Sequence, residues 1–344
     1  MYRFTNRKAL MVLGVAVLAV VASACSSSTS TSGSTAAAGS SSKNSCAGNT
    51  IAYASFQESA PYFAVVDKGI ENAAAKAGLK LYMVDNNLKA EQAISNANLI
   101  AARPGIKVVL ESNYYQAENA TLGKTFAQAK LPVIAIDIAI PGDPYYGANN
   151  MKAGQLAGQG LVSAATQKWG AGSVDLALVE KQSGPGQELI QQRTAGIVAG
   201  IKAANPSLPS SSIVEFEGGT SPDAAGAAVA AELTAHPNAK HIIIGMLGDA
   251  NGVAASKAAQ VAGRSGQVLI AGQGGDGVGV STLEGPPTNF IGTTDYRPGN
   301  YGNDLIPLAC DIIEGKKLPQ TTYISHVFLT RGNVKTYYPN GNLG

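Results

Sequence analysis

The stretch Ile51-Ala52-Tyr53-Ala54-Ser55, followed at once by Phe56-Gln57-Glu58-Ser59-Ala60-Pro61-Tyr62-Phe63, decides how this chain is read. A short, nearly continuous apolar run is what a parallel strand buried on both faces looks like. The polar turn with its Pro then opens an amphipathic pattern over residues 62–77, which stops at Gly78. The same unit recurs along the chain. Further candidate strands fall at 80–84, 107–111, 133–137, 174–179, 213–216, 241–246, 268–271 and 290–294, with helical patterns at 91–102, 153–168, 188–204 and 223–235. Such alternation predicts an α/β protein with doubly wound parallel sheets. The folded region spans about 300 residues, more than one such sheet holds comfortably, so two similar domains are expected. The break is expected at 141–150, where Pro141-Gly142-Asp143-Pro144 and the short run Tyr145-Tyr146-Gly147 interrupt the repeating unit. No short-period repeat is visible, which argues against a solenoid.

Ahead of this region lies an apolar run of 13 residues, 9–21, preceded by Arg3, Arg7 and Lys8. That is the length of a signal-peptide core, whereas a membrane-spanning helix needs about 20 residues. The run ends in Val21-Ala22-Ser23-Ala24-Cys25. The segment resembles a bacterial lipoprotein signal, in which small residues precede a cysteine that is acylated and becomes the first residue of the mature chain. Ala22 stands where such signals usually carry Leu. The resemblance implies a signal peptide at 1–24, lipidation at Cys25 and a Ser/Thr/Gly/Ala-rich flexible linker over 25–46. The alternative is an ordinary secretory peptide cleaved after Ala24, with Cys25 incidental.

Residues 1–24 carry three of the 25 basic residues and none of the 23 acidic ones, so the remainder has no basic excess, and nucleic acid is not an expected partner. Export permits disulfides. If Cys25 is acylated, Cys46 and Cys310 remain as an even pair. Either they staple the segment before the first strand to a helix near 310, or they are two buried thiols.

The segment Phe56 to Phe63, after the first strand and opening the first helix, resembles the sugar-binding proteins of bacterial ABC importers, specifically the ribose-binding-protein type with type I periplasmic-binding-protein architecture. Further matching stretches follow in that family's order: 131–137 ending in Asp137, 148–154, 192–196 with Arg193, His236-Pro237, Gly248-Asp249 and 271–276. The resemblance implies two lobes joined by three crossing hinge segments, the first comprising 47–147 plus 296–325 and the second 148–295 plus 326–344. Ligand is then expected between them, in keeping with the rule that open α/β sheets bind at the carboxyl ends of their strands.

An uncharged polyhydroxy ligand needs flat apolar faces for its C–H surfaces and fixed partners for its hydroxyls. Tyr62 and Phe63 are the expected faces, with Tyr114 and Gln57 as weaker candidates. Asp137, closing an apolar strand, can accept paired hydrogen bonds from neighbouring hydroxyls. Arg193 offers five donors in a fixed fork. Asp249 follows a strand and is expected either to bind ligand or to cap the next helix. Gln273 or Asp276, and Asp295 or Tyr296, complete the expected set. Ala60, Ile138, Gly248 and Gly274 stand where the ribose type carries polar residues, so the hydroxyl map differs and ribose itself is disfavoured, since an unpaired buried donor costs about 1–3 kcal/mol.

Other chemistries fare poorly. Gly272-x-Gly274-x-x-Gly277 with Asp295 formally matches a dinucleotide fingerprint, the basis of a nicotinamide-enzyme alternative, but it falls late in the chain. Gly123-Lys124-Thr125 imitates part of a phosphate loop, yet Glu118 stands where the first Gly belongs. No Gly-x-Ser-x-Gly elbow occurs, and His236, His241 and His326 lack metal or triad spacing, so surface or strand-edge positions are expected for them. Trp169 is expected to pack at a helix end. The expectation is therefore a monomeric extracytoplasmic binding protein without catalysis, cofactor or metal, tied to the outer face of the cell membrane by its lipid. It would carry a small sugar or polyol to an ABC permease. A receptor reporting a sugar-like signal to a sensor protein is the alternative.

Overall fold

In the computed structural model, residues 46–59, 61–113, 115–183, 187–219, 221–339 and 341 are described, all within one compact unit. The signal segment, Cys25 and the linker up to residue 45 lie outside the described residues, as does Tyr114.

The chain begins β1 (Thr50–Ser55), α1 (Pro61–Lys76), β2 (Lys80–Asp85), α2 (Ala90–Ala102), β3 (Ile106–Glu111), α3 (Gln116–Gln128), β4 (Val133–Ile136) and β5 (Tyr145–Gly147). It continues α4 (Asn150–Trp169), β6 (Leu176–Lys181), α5 (Glu188–Ala204), β7 (Ile213–Glu217) and α6 (Pro222–Ala235). Then come β8 (Ile242–Gly245), α7 (Asp249–Val261), β9 (Val268–Gly274), α8 (Gly277–Glu284) and β10 (Phe290–Asp295). Last are α9 (Tyr301–Ile313), β11 (Thr321–Tyr323), β12 (Val327–Thr330) and α10 (Val334–Tyr337).

Among the described residues these strands make two six-stranded sheets, ordered β11-β5-β4-β3-β1-β2 and β12-β10-β9-β8-β6-β7. All pairings are parallel except β10 with β12. The protein is thus two α/β domains with the same winding. Each apolar strand feeds two cores, because successive side chains leave a strand on opposite faces. In the first sheet Ile51, Tyr53, Leu110 and Ile134 pack towards α1 and α9, while Ala52, Ala54, Val109 and Ala135 pack towards α2 and α3. The second sheet repeats this: Leu178, Ile242, Ile244 and Ile270 meet α6 and α7, and Ala177, Val179, Ile243 and Leu269 meet α4 and α5. Cys46, wholly buried ahead of β1, is disulfide-bonded to Cys310 on α9.

Local signals displace some boundaries. The strand expected at 174–179 starts at Leu176, because the Asp175 side chain accepts the backbone N–H groups of Lys240 and His241 at 2.9 and 3.0 Å. The helix expected from 153 starts at Asn150, where the Asn149 side chain accepts the N–H of Lys152 and caps it. The run at 145–147 is a strand of the first sheet rather than only a break, and β11 and β12 are further short strands.

The chain passes between the domains three times, after β5, after β10 and between β11 and β12. Helices α4 and α5 pack backbone to backbone through Gly154 and Gly158 on one and Gly196 and Gly200 on the other. A Cβ at Gly196 would strike the carbonyl of Met151, and one at Gly154 the carbonyl of Arg193. This approach fixes where α5 carries Arg193. Gly196→Ala should therefore push the helices apart and cost about 1–3 kcal/mol in denaturant melts. An unchanged melt would mean that the close approach is not needed.

Candidate functional site

A cleft of about 380 Å³ is lined by strand ends and helix starts of both domains. From the first come Phe56, Tyr62, Phe63, Asn113, Asp137 and Ile138; from the second, Asn150, Leu189, Ile190, Arg193, Leu247, Gln273 and Asp276; from the second crossing, Tyr296 and Tyr301.

The β1–α1 turn supplies an aromatic wall. Phe56 and Phe63 stack with ring centroids 4.2 Å apart, and Tyr62 meets Phe63 edge-on at 5.2 Å. Phe56, not Gln57, lines the cleft; the ring stack accounts for this, because it commits residue 56 to the wall and leaves residue 57 outside the lining.

Asp137 follows β4 in a left-handed conformation, φ 61°, which Asp tolerates better than most residues. Gly147 makes room for it, since a Cβ there would lie 2.8 Å from an Asp137 carboxylate oxygen. The Tyr301 hydroxyl donates to this carboxylate, 3.0 Å from each oxygen, and Tyr62 Oη lies 3.3 Å from Tyr301 Oη. Burial pushes Asp137 up to about 6, against the opposing pull of Tyr301 and of Arg193 across the cleft.

Arg193 sits on the first turns of α5. Its Nε donates to Asn150 Oδ1 at 2.7 Å, and its guanidinium lies 4.6 Å from the centre of the Tyr296 ring. Tyr296 Oη in turn donates to Gln273 Oε1 at 3.2 Å. The Arg193 fork is thus held by one nitrogen and one face, which leaves its outer nitrogens to address a ligand.

The carboxylates after the last strands divide their labour differently from expectation. Asp249 borders the cleft, but its Oδ2 accepts the backbone N–H groups of Gly275 and Asp276 at 2.8 and 3.1 Å, and its Oδ1 accepts from Thr293. Burial first, then Asp276, raises its pKa. Asp276 caps α8, accepting from the N–H groups of Val278 and Gly279, and also borders the cleft. Asp295 is not in the lining: its Oδ1 accepts from Arg297 N–H and the Tyr338 hydroxyl at 2.6 and 2.8 Å, so this carboxylate orders the turn beyond β10 while Tyr296 takes the cleft position. These contacts bear on the glycine-rich turn that formally matches a dinucleotide fingerprint. The glycine-rich turn after β9 does lead into a helix, but the N–H groups a phosphate would need already serve Asp249 and Asp276.

Tyr301 and Asn150 were not expected in the site. Asn150 lies in the 148–154 stretch, whose position at a crossing was a usable signal; Tyr301 carried none, lying far along the chain from Asp137. Of the histidines, His236 pairs with Glu232 at 3.5 Å and His241 stacks on Trp169 at 4.8 Å, whereas His326 is no edge residue. It lies between the three crossings, with Nδ1 3.0 Å from the Asp295 carbonyl and Nε2 accepting from Asn149 N–H at 3.2 Å. Among the described residues, no group of three or more His, Cys, Asp or Glu could hold a metal ion, and no helix is long and apolar enough to cross a membrane.

Behind the aromatic wall, Asn86 links Asn96 to Glu111 at the end of β3, donating to Glu111 Oε1 at 2.9 Å. Glu111 Oε2 is buried with no hydrogen-bond partner, and burial moves this carboxyl from 4.5 up to about 8. The folded state therefore holds a proton that the unfolded chain releases near pH 4.5, so the stability this group contributes is present at acid pH and lost as pH rises towards 8. Glu111→Gln should remove that share, so melting curves of variant and wild type should diverge in the variant's favour between about pH 4.5 and 8. Parallel pH profiles would contradict a protonated Glu111.

The family model described as "Periplasmic binding protein domain" matches residues 51–317. The chain is similar to the ribose import binding protein RbsB of Salmonella typhimurium, 24% identical over 281 residues that make up 80% of this chain and 89% of that protein. A solved Actinobacillus succinogenes ABC transporter periplasmic solute binding protein with bound D-allose superposes with a TM-score of 0.72 at 20% identity, covering 84% of this chain and 100% of that one. A Mycobacterium smegmatis protein in complex with β-D-fucofuranose does so with a TM-score of 0.68 at 21% identity, covering 85% and 94%.

Proposed function

The chain belongs to the periplasmic binding protein family, and from that premise we propose that it is an extracytoplasmic binding protein that captures a small sugar or polyol between its two lobes and delivers it to an ABC permease. The observation that carries this reading is that Asp137 and Arg193, from opposite lobes, line one cleft walled by Phe56 and Phe63 and that Arg193 acts electrostatically on Asp137. Stacked rings suit the C–H face of a sugar, and a carboxylate opposite a guanidinium suits its hydroxyls. The sugars in the Actinobacillus and Mycobacterium proteins support it. The lobes comprise 47–147 plus 296–325 and 148–295 plus 326–344, with the crossings as hinges. Contacts from both lobes favour the closed form, and closure is the signal the permease reads. Residues 1–24 act as the export signal, and a lipid on Cys25 keeps the protein beside its permease.

Thermal-shift screening of the full chain against pentoses, hexoses and polyols should find compounds that raise the melt. For such a compound, Asp137→Ala and Arg193→Ala should each weaken binding about 10- to 100-fold, the value of a hydrogen bond to a charged group, while the protein still melts cooperatively. Wild-type affinity in both variants would remove these residues from the ligand's surroundings.

A further inference from the structure

The polar groups of the cleft are unevenly spread. Asp137, Asn113, Tyr62 and Tyr301 lie on one side, and Asn150, Arg193, Gln273 and Asp276 on the other. The rest of the second lobe's lining is different. The first turn of α5 offers Leu189 and Ile190, and the β8–α7 turn offers Leu247 and Ala250. The one ionisable side chain in that turn, Asp249, is committed to Gly275, Asp276 and Thr293. Three further polar groups around the turn are engaged internally. Leu247 N–H and Asn251 Nδ2 both donate to buried Glu180, each at 2.7 Å, and the Met246 carbonyl faces Gln273 Nε2 at 3.4 Å. The first lobe adds Ile138 to the same cleft.

A hydroxyl placed against Leu189, Ile190 and Leu247 would meet carbon side chains and leave its hydration unreplaced. A methyl group placed there would be buried with gain. Resting on the sugar-binding reading above, we propose that the ligand is a deoxysugar or similarly methyl-bearing polyol, its hydroxyl edge held by Asp137 and Arg193 and its apolar end received by Leu189, Ile190 and Leu247. The three aliphatic residues then determine specificity. The class expected to bind is one in which a terminal hydroxymethyl is replaced by methyl.

The test is a set of matched pairs that differ in one hydroxyl: D-fucose against D-galactose, D-rhamnose against D-mannose, and 6-deoxy-D-glucose against D-glucose, titrated calorimetrically into the full chain. In every pair that binds, the deoxy member should bind about tenfold or more tightly, the usual discrimination of an apolar pocket. Leu189→Asn, at a half-buried position on a helix surface, should narrow or reverse that preference. Equal or tighter binding of the hydroxyl members overturns the inference and leaves the sugar reading intact, as does binding confined to compounds with no apolar end, such as ribose or ribitol. If no sugar or polyol of either kind binds the folded protein, the sugar reading itself fails and takes this inference with it.

Discussion

The structure turns on a small, partly buried junction where the chain crosses three times between its domains. His326, on the third crossing, faces the carbonyl of Asp295 on the second through Nδ1 and takes the N–H of Asn149 on the first through Nε2. Those partners specify a neutral ring with its proton on Nδ1. Burial, with Arg193 nearby, moves the imidazole below its ordinary value, so it stays neutral at physiological pH. The Tyr296 ring packs edge-on against His326 at 4.8 Å and carries the Arg193 guanidinium on its face. The same ring thus touches the hinge and positions a cleft cation. Geometry at the crossings and geometry at the ligand are consequently one problem.

The cleft follows from two constraints on the chain. Parallel sheets buried on both faces place their functional residues beyond the strand ends, and the two sheets direct those ends at each other. Desolvation there makes charge costly, which is why every cleft carboxylate has partners: Asp137 has Tyr301, Asp249 has two amides and Thr293, and Asp276 has the start of α8. Asp137 in addition feels the Arg193 guanidinium. The aromatic pair beside it and the aliphatic side chains opposite set what kind of molecule can replace water between them.

The winding was legible in the sequence because β1, β3, β8 and β9 are apolar runs bounded by turns, and a strand buried on both faces leaves that mark. Strands β5, β11 and β12 were not, since runs of only three or four residues are held by register with their neighbours more than by their own composition. Among the cleft residues, Tyr62, Phe63, Asp137 and Arg193 were expected from the family resemblance together with their positions after strands or at helix starts, and Gln273 and Asp276, left as alternatives, both border the cleft. Asp295 and Tyr296 could not be separated, because adjacent residues at a strand end face opposite ways and a one-residue slip exchanges them. Tyr301 was invisible, because its contact with Asp137 joins positions 164 residues apart.

The central claim is that one ligand is held simultaneously by both lobes. Amide hydrogen exchange of the full chain, with and without a saturating sugar, addresses it directly. The account predicts that exchange slows together at 136–138 in the first lobe and at 189–193 and 247–250 in the second, while the glycine-packed interior of α4 and α5 is unchanged. Slowing confined to one lobe would contradict it.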